Sequence, residues 1–402
     1  MPLFLGAKGE DVLTRRGTVE FVQRFRQGLY GAMAELPVAG ELALLQGVKE
    51  ALAAELAFEA GHGEQVRSAL DEAAESASVT ELSALRERLR GLADEHFRRR
   101  GSVPVYHLLC TAAADRLAAA ALRLAALWQE QAGFGAPPAP WCWMAIGSVG
   151  RGETSLAGDG DFLLIHGGEG AAAFVGFAAR GAGMMEQMGL AGSVGITPST
   201  PAWRGSIADW RKRVTARVAH GDGDLDGLIR LADLRLVAGD PNLAGEMVNL
   251  IRSMLSFHRE PLHEMARRVA MMPSGFDFFG RLRLERGGGH RGLFNLGFYG
   301  IEPLVDNVRV MAVRFDIPET GTLARLQGLL HERRIDVALA ERLLQAWHLF
   351  GRHAVGGGIS GAAGVFVDPE TLSERALDEL KAGVEAVGAL QKIVYSSVTG
   401  LV

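Results

Sequence analysis

Two short apolar runs, Trp141–Ile146 and residues 162–165, interrupt a chain whose remaining pattern is helical. Each is too short for a stable helix, and the first is rich in strand formers. Ahead of the first lies Gly133-Phe-Gly-Ala-Pro-Pro-Ala-Pro140, a break that no helix survives. Between the two runs come a Gly-rich turn and a charged segment, which gives the order strand, helix turn, strand. A third, weaker strand is expected over residues 193–197. Elsewhere apolar residues recur at helical spacing, over residues 20–36, 41–60, 79–100 and about 105–131. Breaks are expected at 37–40, 61–63 and 101–104. From Trp203 the chain reads as helix again. Residues 281–291, with a Gly287–Gly289 loop, accommodate a strand pair, and amphipathic helices broken at Pro318, 356–364 and Pro369 complete the chain.

A length of 402 residues suits two or three domains. Hydrophobic residues make up 48% and charged residues 22%, the mix of a soluble protein with a substantial core, and the low aromatic content of 7% alongside abundant Ala and Leu favours helix. The formal net charge of -5 argues against a broad nucleic-acid footprint. Cys110 and Cys142 lack metal-ligand spacing and stand in apolar surroundings, so both read as buried small hydrophobes. No stretch approaches the ~20 apolar residues of a membrane span, and no signal peptide is evident at the N-terminus. The expected compartment is the cytoplasm, with no membrane partner.

The chemistry concentrates in residues 144–165. Asp159 and Asp161 stand at i and i+2 at the mouth of a strand, so their carboxylates point the same way. Two acids on one face repel unless a cation sits between them, and Mg2+ or Mn2+ resolves that conflict. Upstream, Gly147 lets the backbone approach a ligand, Ser148 adds a hydroxyl, and Arg151 can answer phosphate charge in bidentate fashion. Phosphate donors on one side and metal carboxylates on the other suit phosphoryl or nucleotidyl transfer, which needs positioning and charge neutralisation above all.

That order resembles the nucleotidyltransferase superfamily of DNA polymerase beta type. Gly147-Ser-Val-Gly-Arg-Gly-Glu153 followed by Asp159 and Asp161 is similar to a bacterial nucleotidyltransferase family often joined to CBS and cyclic-nucleotide-binding domains, and related to the N-terminal domain of protein-PII uridylyltransferases. Trp203-Arg-Gly-Ser-Ile-Ala-Asp-Trp210, Asp233-Leu-Arg235 with Gly239-Asp240, Tyr299-Gly-Ile-Glu-Pro303 with Asp306 and Arg309, Val367-Asp-Pro369 and Leu372-Ser373 keep that family's order. The resemblance implies an α+β fold that is mostly α. A small mixed-sheet nucleotidyltransferase domain with a leading helix (101–255) would be flanked by a helical N-terminal region (1–100) and a helical C-terminal domain (256–402). It implies transfer of a nucleoside monophosphate, UMP or AMP, from a nucleoside triphosphate to an acceptor, which by analogy is a regulatory protein in signal transduction. Asp159 and Asp161 would bind the metal and carry catalysis, while Gly147, Ser148, Gly150 and Arg151 face the triphosphate. The alternative is a nucleotide-binding signalling module with little or no turnover.

The chain departs from the family pattern at Gly160 and Phe162, where a polar residue and Asn are usual, and at Gly297-Phe298, where a lysine usually precedes the Tyr-Gly segment. Active members of the superfamily often use a third carboxylate. Residues 193–197 carry none, and Asp233 is the candidate third metal ligand, set against an ordinary capping or salt-bridging role. Two other motifs read as loops. Asp222-Gly-Asp-Leu-Asp-Gly227 imitates a Ca2+ loop but lacks the closing Glu, and Gly356-Gly-Gly-Ile-Ser-Gly361 fits G-x-G-x-x-G without a βαβ unit around it.

Overall fold

The computed structural model describes residues 38–402, apart from 138–139, 157–159, 169–170, 191–194, 221–224, 361–364 and 400–402. It is mostly helical, with one small mixed sheet. The helix expected over 20–36, the first half of the Ca2+-loop mimic (222–224) and Asp159 lie outside the described residues, and the mimic's second half opens a helix at Leu225.

The N-terminal region is built from α1 (Val38–Glu75), α2 (Val79–Arg100) and α3 (Val103–Gln131). Helix α1 runs straight through Gly61–Gly63, where the glycines predict a break. Tertiary packing overrides their propensity: His62 is buried, its Nε2 lies 2.9 Å from the Leu92 carbonyl of α2, and its ring packs among Phe58 and His96. Helix α2 starts where Ser78 accepts the Glu81 N–H and ends at Gly101, whose φ of 63° turns the chain out while its N–H bonds Phe97. The terminal arginines of α2 are not merely solvated. Arg99 and Arg100 reach back to Glu55 and Glu59, tying α2 to α1.

Strands β1 (Trp141–Ile146), β2 (Asp161–His166), β3 (Arg204–Ser206) and β4 (Arg235–Gly239) form one sheet in the order β3-β2-β1-β4. Strand β1 pairs antiparallel with β2, in a register that sets Ile146 opposite Asp161, and also with β4; β2 and β3 are parallel. The whole of β2 and nearly all of β1 is buried, which is why both read as unbroken apolar runs. Among the described residues the next strand after β2 is Arg204–Ser206, and residues 195–197 of the expected segment form no strand. Strand β4 also falls in a stretch that reads as helix.

Helix α3 is rich in alanine, which lets it lie close to α5 (Ala173–Gln187). A Cβ at Gly181 of α5 would stand 2.9 Å from Leu122 of α3 and 3.4 Å from Trp143 of β1. The one-turn helix α4 (Gly147–Gly150) joins β1 to the loop before β2. Helices α6 (Ile207–His220) and α7 (Leu225–Arg230) precede β4, and α8 (Pro241–Phe257) follows it, capped by Asp240 with Pro241 in its first turn. Helix α8 packs against β1 and β2.

The C-terminal part holds α9 (Arg259–Ala270), α10 (Glu302–Arg314), α11 (Thr322–His331), α12 (Val337–Ser360) and α13 (Glu374–Thr399). Strands β5 (Phe294–Asn295) and β6 (Phe366–Val367) pair antiparallel, and Leu284 bridges Phe294 beside the glycine loop. Helix α12 does not break at Gly356. Phe350 and Val355 are buried, and the helix continues to Ser360. Asn307 fixes α10 by donating from its buried amide to the carbonyls of Pro303 and Val269. Cys110 and Cys142 are free and buried, as their surroundings predict.

Candidate functional site

Strand β1 ends at Ile146, and Gly147 then takes a φ of 64°, a left-handed conformation that favours glycine. The turn lays Gly147 beside the first residue of β2: a Cβ at Gly147 would stand 3.5 Å from Oδ2 of Asp161. Asp161 is only 5% exposed. Gly147, Ser148, Arg151, Glu153 and Asp161 line one cavity of about 840 Å³, within the range of ligand pockets. Its other walls come from α7 (Arg230), from α9 and α10 (Arg268, Glu302, Asp306) and from the apolar face of α12. The Arg230 guanidinium lies 3.7 Å from Asp161.

The motif turn is braced from outside the cavity. Arg235 of β4 donates to the Val149 carbonyl at 2.9 Å and clasps Asp115 of α3 at 2.6 and 2.9 Å. Gly150, expected to face a triphosphate, instead packs against main chain. A Cβ there would stand 2.2 Å from the Asp233 carbonyl and 2.9 Å from that of Ala145, and Gly150 is not part of the cavity wall. Gly160 serves a similar end: a Cβ would meet the Phe162 ring at 2.3 Å and the Leu190 carbonyl at 2.6 Å. The two departures beside the acids are thus one feature, because the Phe162 ring fills the space that a side chain at 160 would need.

Asp233 sits directly before β4 and is fully buried. Arg151 donates to it at 3.0 Å, Arg309 of α10 at 2.8 Å and Arg325 of α11 at 2.6 Å. Both of its oxygens accept from guanidinium groups, so the candidate third metal ligand is salt-bridged in this structure. Burial alone would raise its pKa, but the charges of Arg309, Arg151 and Arg325 prevail and hold the carboxyl at about 2. Two further acids complete the cluster. Glu153 accepts from Arg151 at 2.8 Å and from the main-chain N–H and hydroxyl of Thr322, while Asp306 accepts from Arg309 at 2.5 Å. Three arginines thus face three carboxylates across the seam between the sheet and the C-terminal helices. Arg151 lines the cavity while already bound to Glu153 and Asp233.

Among the described residues, no group of three or more His, Cys, Asp or Glu side chains is placed to hold a metal ion, and no helix is long and apolar enough to cross a membrane. The sequence reading did not single out Arg230, Thr322, Arg325 or His107. The one available signal was a charge inside an apolar helical pattern, as in Thr322-Leu-Ala-Arg-Leu-Gln-Gly-Leu-Leu330.

A family model described as putative nucleotidyltransferase DUF294 matches residues 87–224, and one described as putative nucleotidyltransferase substrate binding domain matches residues 259–398. The chain belongs to this nucleotidyltransferase family. The first match carries the motif turn and β2, and the second carries the helices that close the cavity from the other side. No curated protein matches the chain.

Proposed function

We propose that this nucleotidyltransferase-family protein moves a nucleoside monophosphate, UMP or AMP, from a nucleoside triphosphate to an acceptor in a reaction that depends on Mg2+ or Mn2+. The observation that carries the reading is the left-handed Gly147 turn set against the Asp161 carboxylate inside one cavity shared with the substrate-binding domain. Asp161 fits a hard cation: it is an oxygen donor, nearly buried, at the mouth of a strand and on the wall of the cavity. Asp159 would share the ion by its position two residues earlier. Bound there, the metal would neutralise charge on the triphosphate.

The remaining work belongs to side chains. Gly147 leaves room for a phosphate to approach the backbone, and the Ser148 hydroxyl donates to it. Arg230, about half-exposed and lining the cavity, would answer phosphate charge once Asp161 holds the ion. Arg151 acts at one remove: it holds the motif turn to Asp233 and Glu153 and adds positive charge to the wall. By analogy with the uridylyltransferases the acceptor is a small regulatory protein, which would place the chain in cytoplasmic signalling. The division into a helical region to about 100, a transferase domain to about 255 and a helical substrate-binding domain after it fits this reading.

A second reading has one observation in its favour. Arg230 stands against Asp161 where a cation would be needed, and a protein that keeps it there would bind nucleotide without turning it over. Transfer of label from each α-labelled nucleoside triphosphate with Mg2+ or Mn2+, using cell extract as acceptor, separates the two. Label on a protein band that disappears in Asp161→Asn supports transfer; saturable binding with no transfer from any of the four supports the sensor.

A further inference from the structure

One cavity residue has no part in the chemistry above. His107 rises from α3, and its Nδ1 lies 3.0 Å from the main-chain carbonyl of Thr154, just past the motif turn. A carbonyl only accepts, so Nδ1 carries the hydrogen and Nε2 keeps a lone pair. Among the described residues no protein group bonds Nε2, and the ring lines the same cavity as Ser148 and Asp161. Burial disfavours the charged imidazolium and lowers the pKa below the ordinary histidine range. The charged groups that bear on it, Glu153 and Arg151, both come from the motif turn and act in opposite directions. Its neighbour on α3 is the neutral Tyr106, and α12 offers the uncharged Trp347, with ring centroids 5.9 Å apart in each case.

Part of the cavity wall is apolar. Trp347, Phe350 and Val355 of α12, with Val365, line the cavity, and Trp347 stands beside His107. Helix α12 approaches α3 closely because position 351 is glycine: a Cβ there would meet Val103 at 2.7 Å. That approach sets Trp347 against His107. An apolar wall with a neutral acceptor beside it suits a planar ring that carries an N–H on its edge.

We infer that the His107–Trp347 corner of the cavity receives the base of the nucleoside triphosphate, with His107 Nε2 accepting a hydrogen bond from an N–H of the base edge. The inference rests on the nucleotide reading above and adds the residue that discriminates among bases. An attacking hydroxyl, the other group a neutral imidazole could serve, has no use for the apolar wall.

The test uses the full chain with Mg2+, titrated calorimetrically with ATP, UTP, GTP, CTP and inorganic tripolyphosphate. In His107→Asn the shorter amide still donates to Thr154 but removes the acceptor at the Nε2 position; in His107→Gln an amide oxygen can take that position. The preferred nucleotide should bind His107→Asn at least about tenfold more weakly, the cost of leaving one ligand donor unpaired, with partial recovery in His107→Gln. Tripolyphosphate should bind all three proteins equally, which also reports that the variants are folded. Wild-type affinity for the nucleotide should fall as the pH drops below the ring's pKa, and that limb should be missing in His107→Asn. Unchanged nucleotide affinity in His107→Asn overturns the inference. So does unchanged affinity with lost turnover, which would make His107 a proton acceptor instead. Tripolyphosphate binding without any preference among bases overturns it while sparing the phosphate site; binding of neither ligand by the wild type overturns the nucleotide reading itself.

Discussion

Asp233→Asn separates a structural carboxylate from a metal ligand, and the cluster around it sets the size of the effect. The substitution keeps the shape but removes the charge that Arg151, Arg309 and Arg325 share. Arg309 retains Asp306 and Arg151 retains Glu153, but Arg325 is left with no carboxylate, only neutral acceptors: the carbonyls of Glu319 and Ala232 and at most the amide oxygen of the new side chain. Its side chain is 2% exposed, so water cannot replace the lost partner. Breaking one side of such a pair costs about 3–5 kcal/mol. With an unfolding entropy of roughly 0.8 kcal/mol/K for 402 residues, that is a drop of about 5 °C in the melting temperature. The measurement is thermal unfolding in EDTA, where a metal ligand would have nothing to hold. Asp233→Asn combined with Arg325→Met should recover at least half of the loss, since the stranded charge is gone and an apolar chain fills its place. A melting temperature within 1 °C of wild type in EDTA, together with lost metal-dependent binding, would refute the structural assignment and restore Asp233 as a ligand.

The same carboxyl gives a pH prediction. Held at about 2 in the fold against about 3.9 unfolded, it contributes roughly 2.5 kcal/mol above pH 4, and that contribution disappears as the pH falls from about 4 towards 2; acid titration of stability should lose that portion of its slope in Asp233→Asn. Gly150→Ala puts a methyl 2.2 Å from the Asp233 carbonyl and should cost about 1–3 kcal/mol by overpacking, read as a lower urea midpoint with Arg151 displaced from the cavity wall. Gly160→Ser should destabilise by a similar amount because it meets the Phe162 ring, and Phe162→Ala should relieve part of that loss in the double variant. Asp161→Asn should lower transfer by at least about a hundredfold, the scale of losing one preorganised charge at a transfer centre, with little change in melting temperature.

The parts of the fold legible in the sequence are those specified locally. The run Trp141–Ile146 reads as a strand because burial on both faces leaves no polar residue in it. Gly147 and Asp161 stand out in one short motif, and the antiparallel register that sets Ile146 opposite Asp161 brings them near each other. The glycines at 61–63 and 356–358 mislead because they sit in helices whose other residues, His62, Phe350 and Val355, are anchored by tertiary packing. Strands β3 and β4 escape notice for a different reason. Strand β3 has three residues, and the five of β4 are only partly buried, so neither shows a full period of alternation.

A salt-bridging role for Asp233 was legible, but its partners were not, since they meet it across 76 to 92 positions. That distance bears on how the site works. Arg151 leaves the motif turn, Arg309 and Arg325 leave two helices of the substrate-binding domain, and all three end on one carboxylate that is 0% exposed. A shift of the substrate-binding helices would therefore strand a buried charge on one side or the other. The two domains are held in a single relation by a cluster that tolerates no half measure, and the cavity between them inherits its shape. Gly150 makes the coupling tighter, because the motif turn rests directly on the main chain of Asp233. Substitutions at Arg325, which does not line the cavity, should then alter nucleotide affinity as well as stability. Arg325→Lys tests this, since it keeps the charge but cannot reproduce the three-way contact to Asp233, Ala232 and Glu319. Weakened nucleotide binding in Arg325→Lys would support a cavity shaped by the cluster, and wild-type binding in a destabilised protein would confine the cluster to holding the fold.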